Sequence, residues 1–152
     1  MPSIHFRRKV DASSEEVYAA LATQDGLAGN WTDQLEVPEQ TGDVARFGFG
    51  ADWAKTLEVR IDALDPGRRV EWSPVGGFPG WIGTSITWTL EPADDGGTVV
   101  HFTHAGWPDQ AAEGEMAMCG YTWAMIIDRL ARQVAAGERA PYFRAGEPLP
   151  GS

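Results

Sequence analysis

Residues 109–137, DQAAEGEMAMCGYTWAMIIDRLARQVAAG, repeat apolar side chains at helical spacing. Met116, Gly120, Trp123, Ile127, Leu130 and Val134 recur every three or four positions, which puts them on one side of an α-helix. Pro108 and Asp109 mark a start, and Gly137 followed by Pro141 marks a stop. At about 1.5 Å per residue the stretch predicts roughly 40 Å of helix. In a chain of 152 residues such a helix crosses the whole domain, so the remainder must be arranged to cover it.

The segments before it alternate instead. Ile4, Phe6 and Val10 outline a first strand. Ser13 and Glu16 then stand at capping-box spacing ahead of Val17, Tyr18, Leu21 and Ala22, which predicts a short helix. A second helical turn follows and ends at Gly29-Asn30. From Val44 onward the pattern is of strands only. Phe47 and Phe49 share a face, Leu57, Val59, Ile61 and Ala63 alternate with Glu58, Arg60 and Asp62, and Val70 and Trp72 continue inward after the Asp65-Pro66-Gly67 turn. Residues 74–83 are rich in glycine and proline and are expected to form a loop carrying Phe78 and Trp81. Ile86, Trp88 and Leu90 form the next inward face, Asp95-Gly96-Gly97 a hairpin, and Val100, Phe102 and His104 the last inward face.

The class predicted is α+β: a curved antiparallel sheet of about six or seven strands wrapped around a long C-terminal helix, with two short helices after strand 1. A curved sheet cannot follow a straight helix evenly, so a cavity between them is expected. Residues 1–143 are assigned to one domain. Residues 144–152 are expected to be a flexible tail, with fraying from Ala140 on.

Composition limits the function. The net charge of −10 and a pI near 4.6 argue against nucleic acid, because phosphate binding needs a basic surface. Arg7, Arg8 and Lys9 form one basic cluster, read as a solvated strand face. No apolar run is long enough for a membrane span and no secretory leader is seen, so a cytoplasmic protein without membrane contact is expected. The single cysteine, Cys119, excludes an internal disulfide and suits a reducing compartment. Seven tryptophans, at 31, 53, 72, 81, 88, 107 and 123, fit either a heavy core or the walls of a pocket for a flat apolar ligand.

Taken together, several pieces resemble one family. They are VDASSEEVYAAL from Val10, DGLAGNWT from Asp25, RVEW from Arg69, GTSITWTL from Gly83, GTVVHFTHAGW from Gly97, GYTW from Gly120 with Leu130, and GERAP from Gly137. Spread over residues 4–143, they are similar to the START-like (SRPBCC) superfamily. The closest similarity is to its AHSA-like branch, named after the C-terminal domain of an activator of a heat-shock chaperone ATPase. The resemblance implies a helix-grip fold and a cavity for hydrophobic small molecules between sheet and helix. It also implies that some branches are enzymes, such as polyketide cyclases and aromatases. Chaperone-activating members have a separate N-terminal domain without counterpart in these residues, so chaperone binding is the weaker implication.

The inward faces supply the expected cavity. They give Phe47, Phe49, Leu57, Val59, Trp72, Ile86, Trp88, Phe102 and His104 from strands, Trp31 and Trp53 from flanking segments, Trp81 from a loop, and Met116, Trp123 and Ile127 from the helix. Core packing accounts for any one of these at least as well as ligand contact. His104 is the candidate acid or base, and equally a core histidine satisfied by a backbone carbonyl or a carboxylate. His101 and His104 face opposite sides of a strand and cannot share a metal. With no ligand-spaced cluster, neither a metal nor a cofactor is expected. Cys119 lacks a basic neighbour and is read as packing. Met118 and Met125 lie off the stripe and suit an adaptable wall or an interface.

Three readings remain. The first is a binding domain for an apolar or aromatic small molecule. The alternatives are a cyclase/aromatase-like enzyme using His104, and a protein-interaction module, co-chaperone-like or homodimeric. An enclosed apolar pocket of at least about 300 Å³ reaching His104 would favour binding or catalysis.

Overall fold

The alternating segments become strands and the helical repeat becomes one long helix. The computed structural model describes residues 1–147, so the end of the expected tail, 148–152, lies outside the described residues. Strand β1 (Ile4–Val10) is followed by α1 (Ser14–Ala22) and α2 (Gln24–Ala28). Then come β2 (Gln34–Glu36), β3 (Val44–Phe49), β4 (Lys55–Asp65), β5 (Arg69–Gly76), β6 (Ser85–Pro92), β7 (Thr98–Ala105) and α3 (Glu115–Ala136). The seven strands form one antiparallel sheet in the order β1-β7-β6-β5-β4-β3-β2, closed around α3 as a helix grip.

Each short helix starts on a side-chain cap. Ser13 Oγ accepts from Glu16 N–H at 3.2 Å and Thr23 Oγ1 from Gly26 N–H at 3.0 Å, relieving amides that have no partner inside a helix. Gly26 lets α2 lie on α1, because a Cβ there would come within 2.3 Å of the Ala19 carbonyl oxygen. The register of β4 against β5 shifts at Glu58/Val59 and again at Ile61/Ala63. Such irregularities bend a strand and sharpen its twist. They also end the expected alternation early: Leu57, Val59 and Ile61 are buried, whereas Ala63 is half-buried.

Helix α3 is shorter than its sequence predicts. Asp109–Ala111 form a separate 3-10 turn, and Gly114 (φ −114°, ψ −101°) leaves helical geometry just before Glu115. Proline at 108 starts a turn, and the flexible Gly114 then interrupts what the pattern reads as continuous. The helix of 22 residues is about 33 Å long. It stops at Gly137, whose left-handed backbone (φ 73°) returns its N–H to Gln133 O.

The sheet covers the two halves of α3 unequally. Trp123, Ile126, Ile127, Leu130 and Ala131 are buried, but nothing between Glu115 and Thr122 is. Asn30 fastens the covered half, its amide donating to Ala20 O, Gly26 O and Gln133 Oε1 at 2.9–3.2 Å.

Two segments differ from expectation. β2 carries too few residues to show an alternation and went unread. Ala140–Ala145, expected to fray, are tied down: Ala140, Tyr142 and Phe143 N–H donate to Gly29, Asn30 and Trp31 carbonyls at 2.8–3.1 Å, and Ala145 N–H donates to Asp33 Oδ1. No described helix is long and apolar enough to cross a membrane.

Candidate functional site

His104, near the end of β7, has no accessible surface. Trp123 Nε1–H, which can only donate, points at His104 Nδ1 from 3.2 Å, so Nδ1 is the bare acceptor nitrogen. The ring proton is therefore assigned to Nε2, which lies 2.9 Å from Thr84 Oγ1. The Thr84 hydroxyl in turn donates to Trp81 O at 2.6 Å. Burial lowers the His104 pKa to about 3, so the ring is neutral near pH 7. Trp81 and Trp107 pack on it with ring centroids 4.7 and 4.6 Å away. Its partners are thus an indole and a hydroxyl, not the carbonyl or carboxylate expected. Both ring nitrogens therefore have partners within the protein.

Where the sheet leaves α3, a half-open cleft of about 400 Å³ remains. Eight of its thirteen lining residues are aromatic: Trp31, Phe49, Phe78, Trp81, Tyr121, Trp123, Tyr142 and Phe143. Lys55, Met118, Cys119, Thr122 and Ile126 complete it. The walls come from the end of β3, the start of β4, the Pro79–Trp81 turn, the uncovered half of α3 and the C-terminal segment. The rings brace one another: Phe49 meets Phe143 edge-on at 4.9 Å and Phe78 at 5.5 Å, Phe78 meets Trp81 at 5.1 Å, and Trp31 meets Trp123 at 5.1 Å. Arg129 lies over Tyr142 at 5.4 Å. A second depression of about 730 Å³, around Asp65–Arg69 and His101, has charged loop walls. The aromatic cleft is the candidate site, because small-molecule sites combine apolar walls with few polar groups.

Of the residues expected in a cavity, Trp31, Phe49, Trp81 and Trp123 line this cleft. Phe47, Leu57, Val59, Trp72, Ile86, Trp88, Phe102, Ile127 and His104 are buried in the core instead. Trp53 is half-buried against Gly48 with Arg46 over its ring, and Met116 is half-buried on α3. None of these eleven lines the cleft, which does not reach His104. Phe78, Ile126, Tyr142 and Phe143 were not in the expected set, nor were Lys55, Cys119, Tyr121 and Thr122. Met118 had shown a signal, being apolar and off the buried stripe. Burial raises the Cys119 thiol to about 11 despite an opposing hydrogen bond with Trp81, so it stays protonated. Among the described residues no group of His, Cys, Asp and Glu is arranged to hold a metal ion.

The turn between β3 and β4 is strained. Asp52 (φ 52°) and Trp53 (φ 58°) are successive non-glycine residues in the left-handed region, each costing about 1–3 kcal/mol. Buried Gln34 holds them there, donating Nε2–H to Gly50 O at 2.6 Å and accepting Trp53 N–H at 3.0 Å. Lys55 follows this turn directly.

Other proteins share this architecture. The Aha1 dimer from Colwellia psychrerythraea is 30% identical with a TM-score of 0.81, over 91% of this chain and 99% of that one. Protein SSP2350 of Staphylococcus saprophyticus is 17% identical with a TM-score of 0.76, over 94% of this chain and 98% of that one. DynU16, a protein of the dynemicin biosynthetic locus, is 23% identical with a TM-score of 0.75, over 93% of this chain and 50% of that one. No curated protein sequence matches. The sequence profile of the Activator of Hsp90 ATPase homolog 1-like proteins matches residues 11–135, which take in β2 to β7, nearly all of the gripped helix and most of the cleft's walls. With that match and the same fold in a 30%-identical Aha1, the chain belongs to the family of Activator of Hsp90 ATPase homolog 1-like proteins.

Proposed function

We propose that the cleft binds a ring-bearing hydrophobic small molecule. One observation carries this reading: eight aromatic side chains converge on a space of about 400 Å³ that the protein does not fill. That volume lies within the range of small-molecule pockets, about 300–1,000 Å³. Rings held by other rings need little rearrangement to receive a flat ligand, which lowers the entropy cost of binding. Catalysis by His104 gains no support, since the ring is neutral, doubly hydrogen-bonded and separated from the cleft by Trp81 and Trp123, on which it packs.

Thr122→Trp tests the reading. Thr122 is half-buried on the cleft, and an indole there takes up its space while the buried side chains of α3 are left unaltered. Uncharged phenylnaphthylamine is expected to fluoresce on binding the wild type. In the variant its affinity falls at least about tenfold, the equivalent of about 1.4 kcal/mol, with little change in melting temperature. Equal affinity for both proteins places the probe elsewhere and defeats the reading. Native mass spectrometry of the protein from its own cells then identifies the compound carried.

A second reading, self-association, has its own observation. Met118 and Tyr121 are 68% and 63% exposed on the cleft side of α3, and the Colwellia relative is a dimer. Sedimentation of the wild type beside a Met118→Glu/Tyr121→Glu double variant decides it. A dimer lost in the double variant supports the face, whereas a wild-type monomer throughout the micromolar range removes it.

A further inference from the structure

Resting on the cleft reading, we propose that Lys55 anchors an anionic group, so that the ligand is an amphiphile with a ring-bearing apolar body and a single anionic group. Lys55 is the one charged side chain among the thirteen residues lining the cleft. The chain carries 22 acidic residues against 12 lysines and arginines, and most of its cations are engaged. Arg8, Lys9, Arg46, Arg60, Arg69, Arg132 and Arg139 all pair with carboxylates, whereas Lys55, like Arg7, Arg68, Arg129 and Arg144, enters no ion pair among the described residues, and of these five it alone lines the cleft. A cation left without a counter-ion on an acidic protein, at the mouth of an apolar space, is matched by a ligand that brings the missing charge. The apolar walls strengthen that attraction by keeping water from part of the pair. Lysine's long stem suits the position, because its methylenes can follow the apolar wall while the ammonium stays wet.

The delivery of Lys55 is built rather than incidental. Its backbone leaves a turn in which Asp52 and Trp53 are both left-handed. That turn is held by the buried Gln34 amide and by the Trp53 ring packed where Gly48 has no side chain. Phe49, before the turn, and Lys55, after it, are paired across β3 and β4 and both line the cleft. One strained connection thus fixes an aromatic wall and a cation side by side.

Two probes that share a body and differ in charge test the proposal: anilinonaphthalene sulfonate, which is anionic, and phenylnaphthylamine, which is not. Both are titrated by fluorescence into the wild type, Lys55→Met and Arg68→Met. Arg68 is an exposed residue at the far end of the β4–β5 pair and controls for the loss of a remote charge. Lys55→Met is expected to weaken the anionic probe about fivefold, the upper end for one partly exposed ion pair. The neutral probe changes less than about twofold, and Arg68→Met changes neither. Added salt erodes the wild-type advantage for the anion and leaves the neutral probe alone. The anchor is overturned if Lys55→Met weakens both probes alike or neither, or if Arg68→Met does as much. In those cases the cleft reading survives, because the probes still bind. If neither probe binds the wild type, the cleft reading itself falls and takes the anchor with it.

Discussion

Replacing Trp123 by alanine lowers the free energy of unfolding by about 3–5 kcal/mol, the range for removing a large buried aromatic. Trp123 is 2% exposed and stands within 4.7–6.2 Å, centroid to centroid, of Phe102, Trp31, Trp88, Trp81 and His104. Its removal opens a void at the point where helix, sheet and cleft meet, and interiors this dense cannot collapse fully around such a loss. It also strips His104 Nδ1 of its donor. Trp123→Phe narrows the first effect, since it keeps six of the nine ring atoms while still losing the N–H, and its cost is expected to be smaller, about 2 kcal/mol. Urea denaturation measures both. A loss below about 1 kcal/mol for the alanine variant would mean that the ring contributes little to the core.

Acid has a comparable effect through His104. The ring's pKa falls from the ordinary 6.5 to about 3 on folding, because burial disfavours the imidazolium. Above about pH 6.5 the ring is neutral in both states, and the stability of the neutral arrangement is fully present. As the pH drops below that value the unfolded chain takes up the proton while the folded chain refuses it. Stability is therefore lost steadily until the folded pKa is reached, where the loss levels off. At about 1.4 kcal/mol per pH unit the whole interval amounts to about 4–5 kcal/mol. Between about pH 7 and pH 4.5 the wild type should lose about 2–3 kcal/mol more than His104→Gln, which has no proton to take up. Chemical denaturation across that range reads the difference. Parallel curves for the two proteins would show that the imidazole is not excluded from protonation in the fold.

Much of this architecture is legible in the chain because it rests on short-range periodicity. Leu57-Val59-Ile61, Ile86-Trp88-Leu90 and Val100-Phe102-His104 alternate because one sheet face is wet and the other is not. Trp123, Ile127 and Leu130 repeat because one side of α3 is covered. Periodicity gives an inward direction but not the depth at which two layers part. Phe102 and Trp123 are both inward, yet only Trp123 reaches the cleft. Where the sheet stops following the helix depends on the β4–β5 irregularities and on Gly114, neither of which leaves a repeating signature. Tyr142 and Phe143 were hidden for a different reason. They lie in a segment whose composition reads as a tail, and what orders them is backbone pairing with residues 29–31 far away in sequence.

That pairing has a kinetic consequence. Four backbone hydrogen bonds hold Ala140–Phe143 against residues 29–33, on one side only, whereas β6 and β7 are laddered on both sides. Segments with few such bonds open locally at a smaller free-energy cost than the whole fold. The amides of Tyr142 and Phe143 are therefore expected to exchange with solvent deuterium well ahead of those in β6 and β7. Because these two rings form part of the cleft, each local opening also widens it. Escape of a guest seated against these two rings would then be quickened by the breathing of this segment.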